Sequence, residues 1–470
     1  MDRCLADSPA TLADSVVSLA TTGRACDVEI LTLPRRNFVP RPVTLIAPEF
    51  RVAYVALVKV LAPNLPSPSR GSEAYERHRA FGVPGDGHSF DNYLVETDIA
   101  SCHEYIDHAR LREELILQTM DVAASSQVIE LLSEVHGSPR GLPQLMATSD
   151  TLADTYLQSM ERTLLRRGWK VSRYADDFRI LSKDWGSATT AIEDAAEAAR
   201  SLGLVLSTEK TTVRKSSTVL TAIKEEEDFL ATYLTNTEGR TEVDVLFGNL
   251  YEDPFDVTIP EGEAEQLRVA MHQLLTDWSN DDSRVERPFG RFLPFALSTL
   301  RAAEFRVTDR ILEETVFRSP KLLQNVASYL IARDPEEENW ETMARLCLMG
   351  RQSPWAKLWL LHVAGTLTPK SMTCWVADVD AWAAQQLSDR HEIVRSEAAW
   401  YLAGRGHACL TEEELGRLYR KARALTRPAL AAACGRTKMP ATKGLAKAIA
   451  QDAKVVREAF KWGEKHGVAD

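Results

Sequence analysis

Two aspartates stand side by side at positions 176 and 177 inside an apolar run, Trp169-Lys-Val-Ser-Arg-Tyr-Ala-Asp-Asp-Phe-Arg-Ile-Leu181. Valine, tyrosine, phenylalanine and isoleucine on either side favour extended chain, so the segment reads as strand, tight turn, strand. Adjacent carboxylates repel each other unless a cation sits between them, and oxygen-only donors favour Mg²⁺ or Mn²⁺. On its own an Asp-Asp turn is more often a solvated loop, so its neighbours must decide.

A metal-assisted phosphoryl-transfer centre needs a further carboxylate from elsewhere in the chain. Val95-Glu-Thr-Asp98-Ile99 supplies one, at the end of a short strand-like run and before a helix-like pattern that includes Cys102, His103 and Ile106. Between the two carboxylate segments, Arg140-Gly-Leu-Pro-Gln144 reads as a glycine-proline turn feeding a helix through Ser149 and Leu152 to Leu157. After the aspartate pair, Ser187 to Leu202 reads as a helix. Gly203 suits its C-terminal cap, and the residues up to Lys210 suit a strand.

In this order the blocks resemble the palm of reverse transcriptases, particularly the bacterial group that contains group II intron and retron enzymes. Asp98-Ile99 with Ile106 is similar to the first catalytic block, and Arg140 to Gln144 with Ser149 and Tyr156-Leu157 to the template-and-nucleotide block. Tyr174 to Asp177 is similar to the polymerase signature, and Leu202 to Lys210 to the block after it. Arg41-Pro42 and Arg51-Val52 resemble the fingers.

The resemblance implies a nucleotidyltransferase that adds dNTPs, with Asp98, Asp176, Asp177 and the backbone carbonyl of Ile99 holding two Mg²⁺ or Mn²⁺ ions. It implies that Lys210 protonates or neutralises departing pyrophosphate, and that Arg41 and Arg51 hold the triphosphate. His103, Gln144 and Tyr174 become nucleotide contacts. Three departures stand out. His103 replaces the usual Phe or Tyr that blocks a ribose 2′-hydroxyl. Leu145 replaces the usual glycine after the motif glutamine, and Asp150 follows Ser149 where a proline is usual. The chain after Lys210 does not read as a thumb.

The expected fold class is α+β: reverse-transcriptase fingers and palm over residues 1–225, an acidic connector over 226–262, and an all-α HEAT-like repeat domain over 263–470. From Glu225 to Glu265 the chain carries thirteen acidic residues and one arginine, Arg240, which suits a solvated segment. Ser388 to Gly404 resembles one HEAT-type helix pair, with similar pairs beginning near Arg318 and Gly350. Trp375, Trp382 and Trp400 are expected in the core of such a solenoid.

The formal net charge is −11, unexpected for a protein that meets nucleic acid. The charge is segregated, however: Leu415 to Asp470 holds thirteen Lys or Arg against four Asp or Glu. Lys421, Arg423, Lys438, Lys443 and Lys447 are therefore candidate contacts to RNA or single-stranded DNA. Seven cysteines without CxxC or His-paired spacing suit a reduced, cytoplasmic protein, and no apolar run suits a membrane span.

A palm joined to helical repeats resembles the abortive-infection and other defence-associated reverse transcriptases. That likeness implies DNA synthesis in response to phage, templated or untemplated, protein-primed in some members. It also implies assembly as a homo-oligomer and, in some, a companion non-coding RNA. Two other readings stay open: an RNA-synthesising polymerase of the same fold, and a palm that binds nucleic acid without synthesis.

Overall fold

The structure is a computed structural model that describes residues 2–22, 25–35, 39–66, 70–84, 89–234, 264–281, 289–333, 336–437 and 444–467. In chain order the first elements are α1 (Pro9–Thr22), β1 (Val28–Leu33), β2 (Arg41–Ile46), α2 (Pro48–Leu61), α3 (Ser72–Ala80), β3 (Tyr93–Asp98) and α4 (Cys102–Tyr105). Then follow α5 (His108–Thr119), α6 (Val122–His136), α7 (Ala147–Arg166), β4 (Lys170–Tyr174), β5 (Asp177–Ser182), α8 (Trp185–Ser201), β6 (Thr212–Lys215) and α9 (Ser216–Leu234). Among the described residues the rest is helical: α10 (Ala264–Asn280), α11 (Phe289–Ala302), α12 (Asp309–Arg318), α13 (Leu323–Ala332), α14 (Glu336–Leu348), α15 (Pro354–Thr366) and α16 (Cys374–Gln386). It closes with α17 (Glu392–Arg405), α18 (Glu412–Lys421), α19 (Arg427–Arg436), α20 (Gly444–Ala450) and α21 (Lys454–Lys465). The expected α+β class, a mixed domain followed by an all-helical region, is the observed one.

Two compact units divide the chain. One comprises Tyr54–Asp256 and Glu286–Pro288; the other comprises Met1–Ala53, Val257–Val285 and Phe289–Asp470. The first contains an antiparallel sheet in the order β4-β5-β3-β6. Strand alternation divides its apolar residues between two faces. Val95, Phe178 and Ile180 turn to a large core with Leu152, Tyr156 and Met160 of α7 and Ala188, Ala191, Ala195 and Ala198 of α8. The alanines, three or four residues apart, give α8 a smooth stripe that lies close on the sheet. Leu94 and Leu181 face the other way, toward Val219 of α9. Asp107, Asp121 and Asp184 cap α5, α6 and α8 by accepting backbone N–H bonds from Arg110, Ala124 and Ser187. Residues 204–211, expected as a strand, make only an isolated bridge at Leu206 opposite Ile99. Helix α9 runs through Glu225–Asp228 to Leu234, and the remainder of the expected connector, 235–262, lies outside the described residues.

In the second unit the helices pack in two rows. Each of α11, α13, α15, α17, α19 and α21 packs on the next in that row, while α10, α12, α14 and α16 form the other. Glycine sets the closest crossing: a Cβ at Gly463 would collide with the carbonyl oxygen of Ala432, and one at Gly435 with that of Phe460. Trp382 and Trp400 are buried as expected, whereas Trp375 is only half-buried.

The β1–β2 hairpin belongs to this unit, so the units do not follow the sequence boundaries alone. Glu29 accepts the backbone N–H of Glu392 at 2.9 Å and of Ile393 at 3.1 Å, and its carboxylate lies 3.1 Å from His391 Nδ1. Asp27 accepts the N–H of Ala424 at 2.8 Å, and Arg423 donates to the Val28 carbonyl at 3.0 Å. A carboxylate at the N-terminus of α17 meets both unpaired N–H groups and the positive end of the helix dipole. All seven cysteines are free, and among the described residues no helix is long and apolar enough to cross a membrane.

Candidate active site

The register of β3 against β5 sets Asp98 directly opposite Asp177. Asp176 enters from the two-residue turn with Ala175, because Tyr174 pairs with Asp177 across the hairpin. One ligand oxygen from each of Asp98, Asp176 and Asp177 lies within 4.8 Å of the others. Backbone bonds hold this meeting together. Ile99 N–H donates to the Asp176 carbonyl at 3.2 Å, and Ser207 N–H to the Asp98 carbonyl at 2.7 Å. The second bond carries the 207–210 turn inward, so that Lys210 Nζ stands 3.0 Å from Asp98 Oδ2.

Three carboxylates this close cannot all stay ionised without a cation. Burial pushes the Asp98 carboxyl up, the charge of Asp176 adds to this, and Lys210 offsets it in part. Asp177 keeps an exposed edge, yet loss of water around its carboxyl and the charges of Asp176 and Asp98 push it up to about 7. Burial opposes the charge on Lys210, but its bond to Asp98 and the surrounding carboxylates outweigh that and hold it above the usual lysine range. The donor set is all oxygen, two carboxylates on the paired strands β3 and β5 and a third on the β4–β5 turn, which fits hard divalent cations such as Mg²⁺ or Mn²⁺.

The turn is strained and braced. Ala175 is buried with φ of +52°, a left-handed conformation costly for a residue with a Cβ. Arg173, almost wholly buried, donates to the Ala175 carbonyl and to Asp154 Oδ1, each at 3.0 Å, and to Glu161 Oε2 at 3.0 Å. Arg70 reaches Asp154 Oδ2 at 3.3 Å and Asp150 Oδ1 at 3.4 Å. Sequence reading singled out none of Arg70, Asp154 and Arg173. A signal existed, since Asp154 sits in an apolar helix and Arg173 in an apolar strand, and buried charges need partners.

Other expected site residues are distributed as follows. His103, in α4, lies with Nε2 3.3 Å from Asp150 Oδ1, and its carbonyl accepts the N–H of Leu142 at 2.7 Å. That bond ties the Arg140–Gln144 loop, with buried Gln144, to the His103 turn. Tyr174 packs its ring against Tyr75 at 5.3 Å and His78 at 6.1 Å between centroids. Leu145 has φ of +62°, so the backbone keeps the conformation a glycine would take even though the residue is leucine. Arg41 opens β2 opposite Leu33, and Arg51 lies in the first turn of α2; both belong to the unit that holds the helical region. In that unit Lys421 and Lys447 are exposed, while Arg423 is bound to Glu392 at 3.1 Å and to the Val28 carbonyl. Lys438 and Lys443 lie outside the described residues.

Residues 39–234 match the sequence profile of the family described as reverse transcriptase (RNA-dependent DNA polymerase). Over this segment, which is less than half of the chain, the protein is similar to a reverse-transcriptase domain, the domain of a class of nucleotidyltransferases. No curated protein matches the chain. Among solved structures, a telomerase from Candida albicans in complex with the TWJ fragment of telomeric RNA aligns at 12% identity and TM-score 0.30. The alignment covers 68% of this chain and 65% of that one, so the chain spans just under two thirds of that telomerase. Apo telomerase from Candida tropicalis aligns at 12% identity and TM-score 0.30, over 77% of this chain and 74% of that one. Likeness at that level carries no further argument.

Proposed function

We propose that the reverse-transcriptase domain synthesises DNA from dNTPs, with RNA or single-stranded DNA as its nucleic-acid partner. The observation that carries this reading is the convergence of Asp98, Asp176, Asp177 and Lys210 within the matched segment. The three aspartates, with the Ile99 carbonyl, would hold two Mg²⁺ or Mn²⁺ ions, which supply neutralisation of phosphate charge and acidification of a 3′-hydroxyl. Lys210 supplies a proton or a positive charge to departing pyrophosphate. Gln144, Tyr174 and His103 contact base and sugar, and the guanidinium forks of Arg41 and Arg51 are of the kind that suits a triphosphate. Arg173 and Asp154 keep the Asp176 turn in place.

The two-row helical region supports a HEAT-like scaffold over 263–470 that takes the place of a thumb, following fingers and palm over 1–225. Lys421, Arg423, Lys438, Lys443 and Lys447 give it a basic tail for nucleic acid. By architecture the role is cytoplasmic anti-phage defence, as a homo-oligomer, with a protein hydroxyl as primer and a companion RNA as further parts of the same reading. Purified protein with Mg²⁺ and labelled dNTPs or rNTPs tests it. Incorporation of dNTPs, lost in the Asp176→Ala, Asp177→Ala double variant with its melting curve unchanged, is the expected result. Use of rNTPs alone would establish the RNA-synthesising reading instead, and undiminished incorporation by the double variant would remove the assigned site.

A further inference from the structure

In the unit that holds the helical region, outside the matched segment, an aromatic stack runs from the core to the surface. Trp400 of α17 is buried, and Trp462 of α21 lies on it with ring centroids 5.0 Å apart and planes tilted by 32°. His466, just past the end of α21, stacks on Trp462 at 4.0 Å and 26°. Its Nδ1 donates to the Trp462 carbonyl at 2.8 Å, which fixes the imidazole in that plane.

The inner end of the stack is held by cations. The Arg436 guanidinium lies 4.2 Å from the centre of the Trp400 ring and donates to the Trp400 carbonyl at 3.1 Å. Gly404, having no Cβ, leaves the room which that guanidinium occupies. Arg3 lies 5.2 Å from the same ring and pairs with Glu397 at 2.7 Å. The outer end is open. His466 is exposed although Trp462 covers one face of its ring, so its accessible area lies on the other face and the edge.

The same helix sets positive charge beside the ring. Lys454, Arg457, Lys461 and Lys465 recur at intervals of three and four residues, which places them on one face of α21. Against these four stand two acidic residues of the helix, Glu458 and Glu464. Lys461 and Lys465 directly precede Trp462 and His466, so the stack borders the basic face. Lys461 reaches Glu458 at 3.0 Å and Lys454 reaches Asp14 at 2.9 Å. Both pairs are exposed, contribute little and give way to a phosphate.

Lysine is depleted at protein interfaces, which argues against a protein partner on this face. A duplex keeps its bases stacked on one another and offers none to a ring at its surface. An unpaired base does have a free face, and rings beside a basic track hold single strands without reading their sequence. We propose that His466 is a stacking platform for an unpaired base of single-stranded nucleic acid, with Lys461 and Lys465 meeting the adjoining phosphates. The platform uses none of the basic residues named above, and it rests on the reading that the protein handles RNA or single-stranded DNA.

The test uses the full chain and single strands of about twelve nucleotides, the scale of a single-strand site. An oligouridine carrying one 5-iodouridine, which crosslinks under light to rings it stacks on, should be recovered joined to Trp462 or His466. The corresponding DNA strand is the second arm; a crosslink from either upholds the proposal, and the stronger one names the nucleic acid. In polarisation titrations His466→Ala should weaken the single strand about tenfold while leaving an abasic strand of equal length unaffected. His466→Phe, which keeps a ring, should bind close to wild type. Lys461→Ala combined with Lys465→Ala should flatten the slope of log affinity against log salt by about 1.4, two phosphates at about 0.7 each. No crosslink at Trp462 or His466, wild-type affinity in His466→Ala, or an equal loss for the abasic strand overturns the proposal. Incorporation of labelled dNTPs by the wild type judges the polymerising reading separately. A crosslink at His466 without incorporation upholds the platform and removes that reading, and incorporation without the crosslink does the reverse.

Discussion

At Asp177 the fold holds a carboxyl that, at neutral pH and with no cation beside it, keeps a proton for a large part of the time. A divalent ion must displace that proton, so its apparent affinity should rise with pH up to about 7 and level off above. The slope below 7 should approach tenfold per pH unit, for one proton released per binding event. Calorimetry of Mn²⁺ binding at several pH values checks this; Asp177→Asn should bind more weakly and lose the slope. Leu145 carries a different kind of signature. Its φ of +62° strains leucine, and its side chain is exposed, so little packing is lost on truncation. Leu145→Gly should stabilise the protein by about 0.5 kcal/mol, the relief of left-handed strain less the entropy that glycine gains when unfolded. The shift of a urea midpoint measures it, and a lower midpoint would show that the leucine side chain contributes more than its exposure suggests.

Among elements, the β4–β5 hairpin shows what local sequence can specify. Alternating apolar residues make the strands, and the two-residue turn follows from their pairing. The β1–β2 hairpin shows the opposite. Nothing in Val28–Leu33 announces that Glu29 will cap a helix 363 positions further on. Glu29→Ala removes two charge-assisted bonds to backbone N–H groups and should destabilise the helical unit by about 1–2 kcal/mol. Thermal unfolding followed at 222 nm is the measurement, and Glu29→Gln should recover part of the loss because it keeps an acceptor. An unchanged melting temperature would mean that water replaces the carboxylate without cost.

For the molecule as a whole, charge is placed so that acid should loosen the unit that holds the four-stranded sheet. Burial, with the Arg179 charge adding to it, depresses His78 to about 4, and burial with the neighbouring His108 does the same to His136. In the unfolded chain both titrate near the ordinary histidine value of about 6.5. Between those values the unfolded state binds more protons, so stability is full above about 6.5 and is lost as pH falls toward 4. The loss should be about 1 kcal/mol per pH unit for buried His78 alone. Urea titrations at pH 7 and 5 give the slope, and His78→Gln should flatten it. A slope unaffected by that change would assign the acid sensitivity to the carboxylate network instead.

The sequence by itself determined the strand, turn and strand around Asp176 and Asp177, the three aspartates that meet there and the helical character of the second half. Those follow from short-range periodicity and from the rule that like charges gather only where a counter-charge will join them. The tertiary structure alone decided which partners brace the site: Arg173 with Asp154 behind the turn, Asp150 beside His103, and Glu29 at the start of the helix from Glu392. It also decided that Arg423, expected to meet nucleic acid, is bound to Glu392 and the Val28 carbonyl. Ion pairs and caps between distant segments leave no periodic trace, because a guanidinium or carboxylate can be satisfied by any partner the fold brings within about 3 Å.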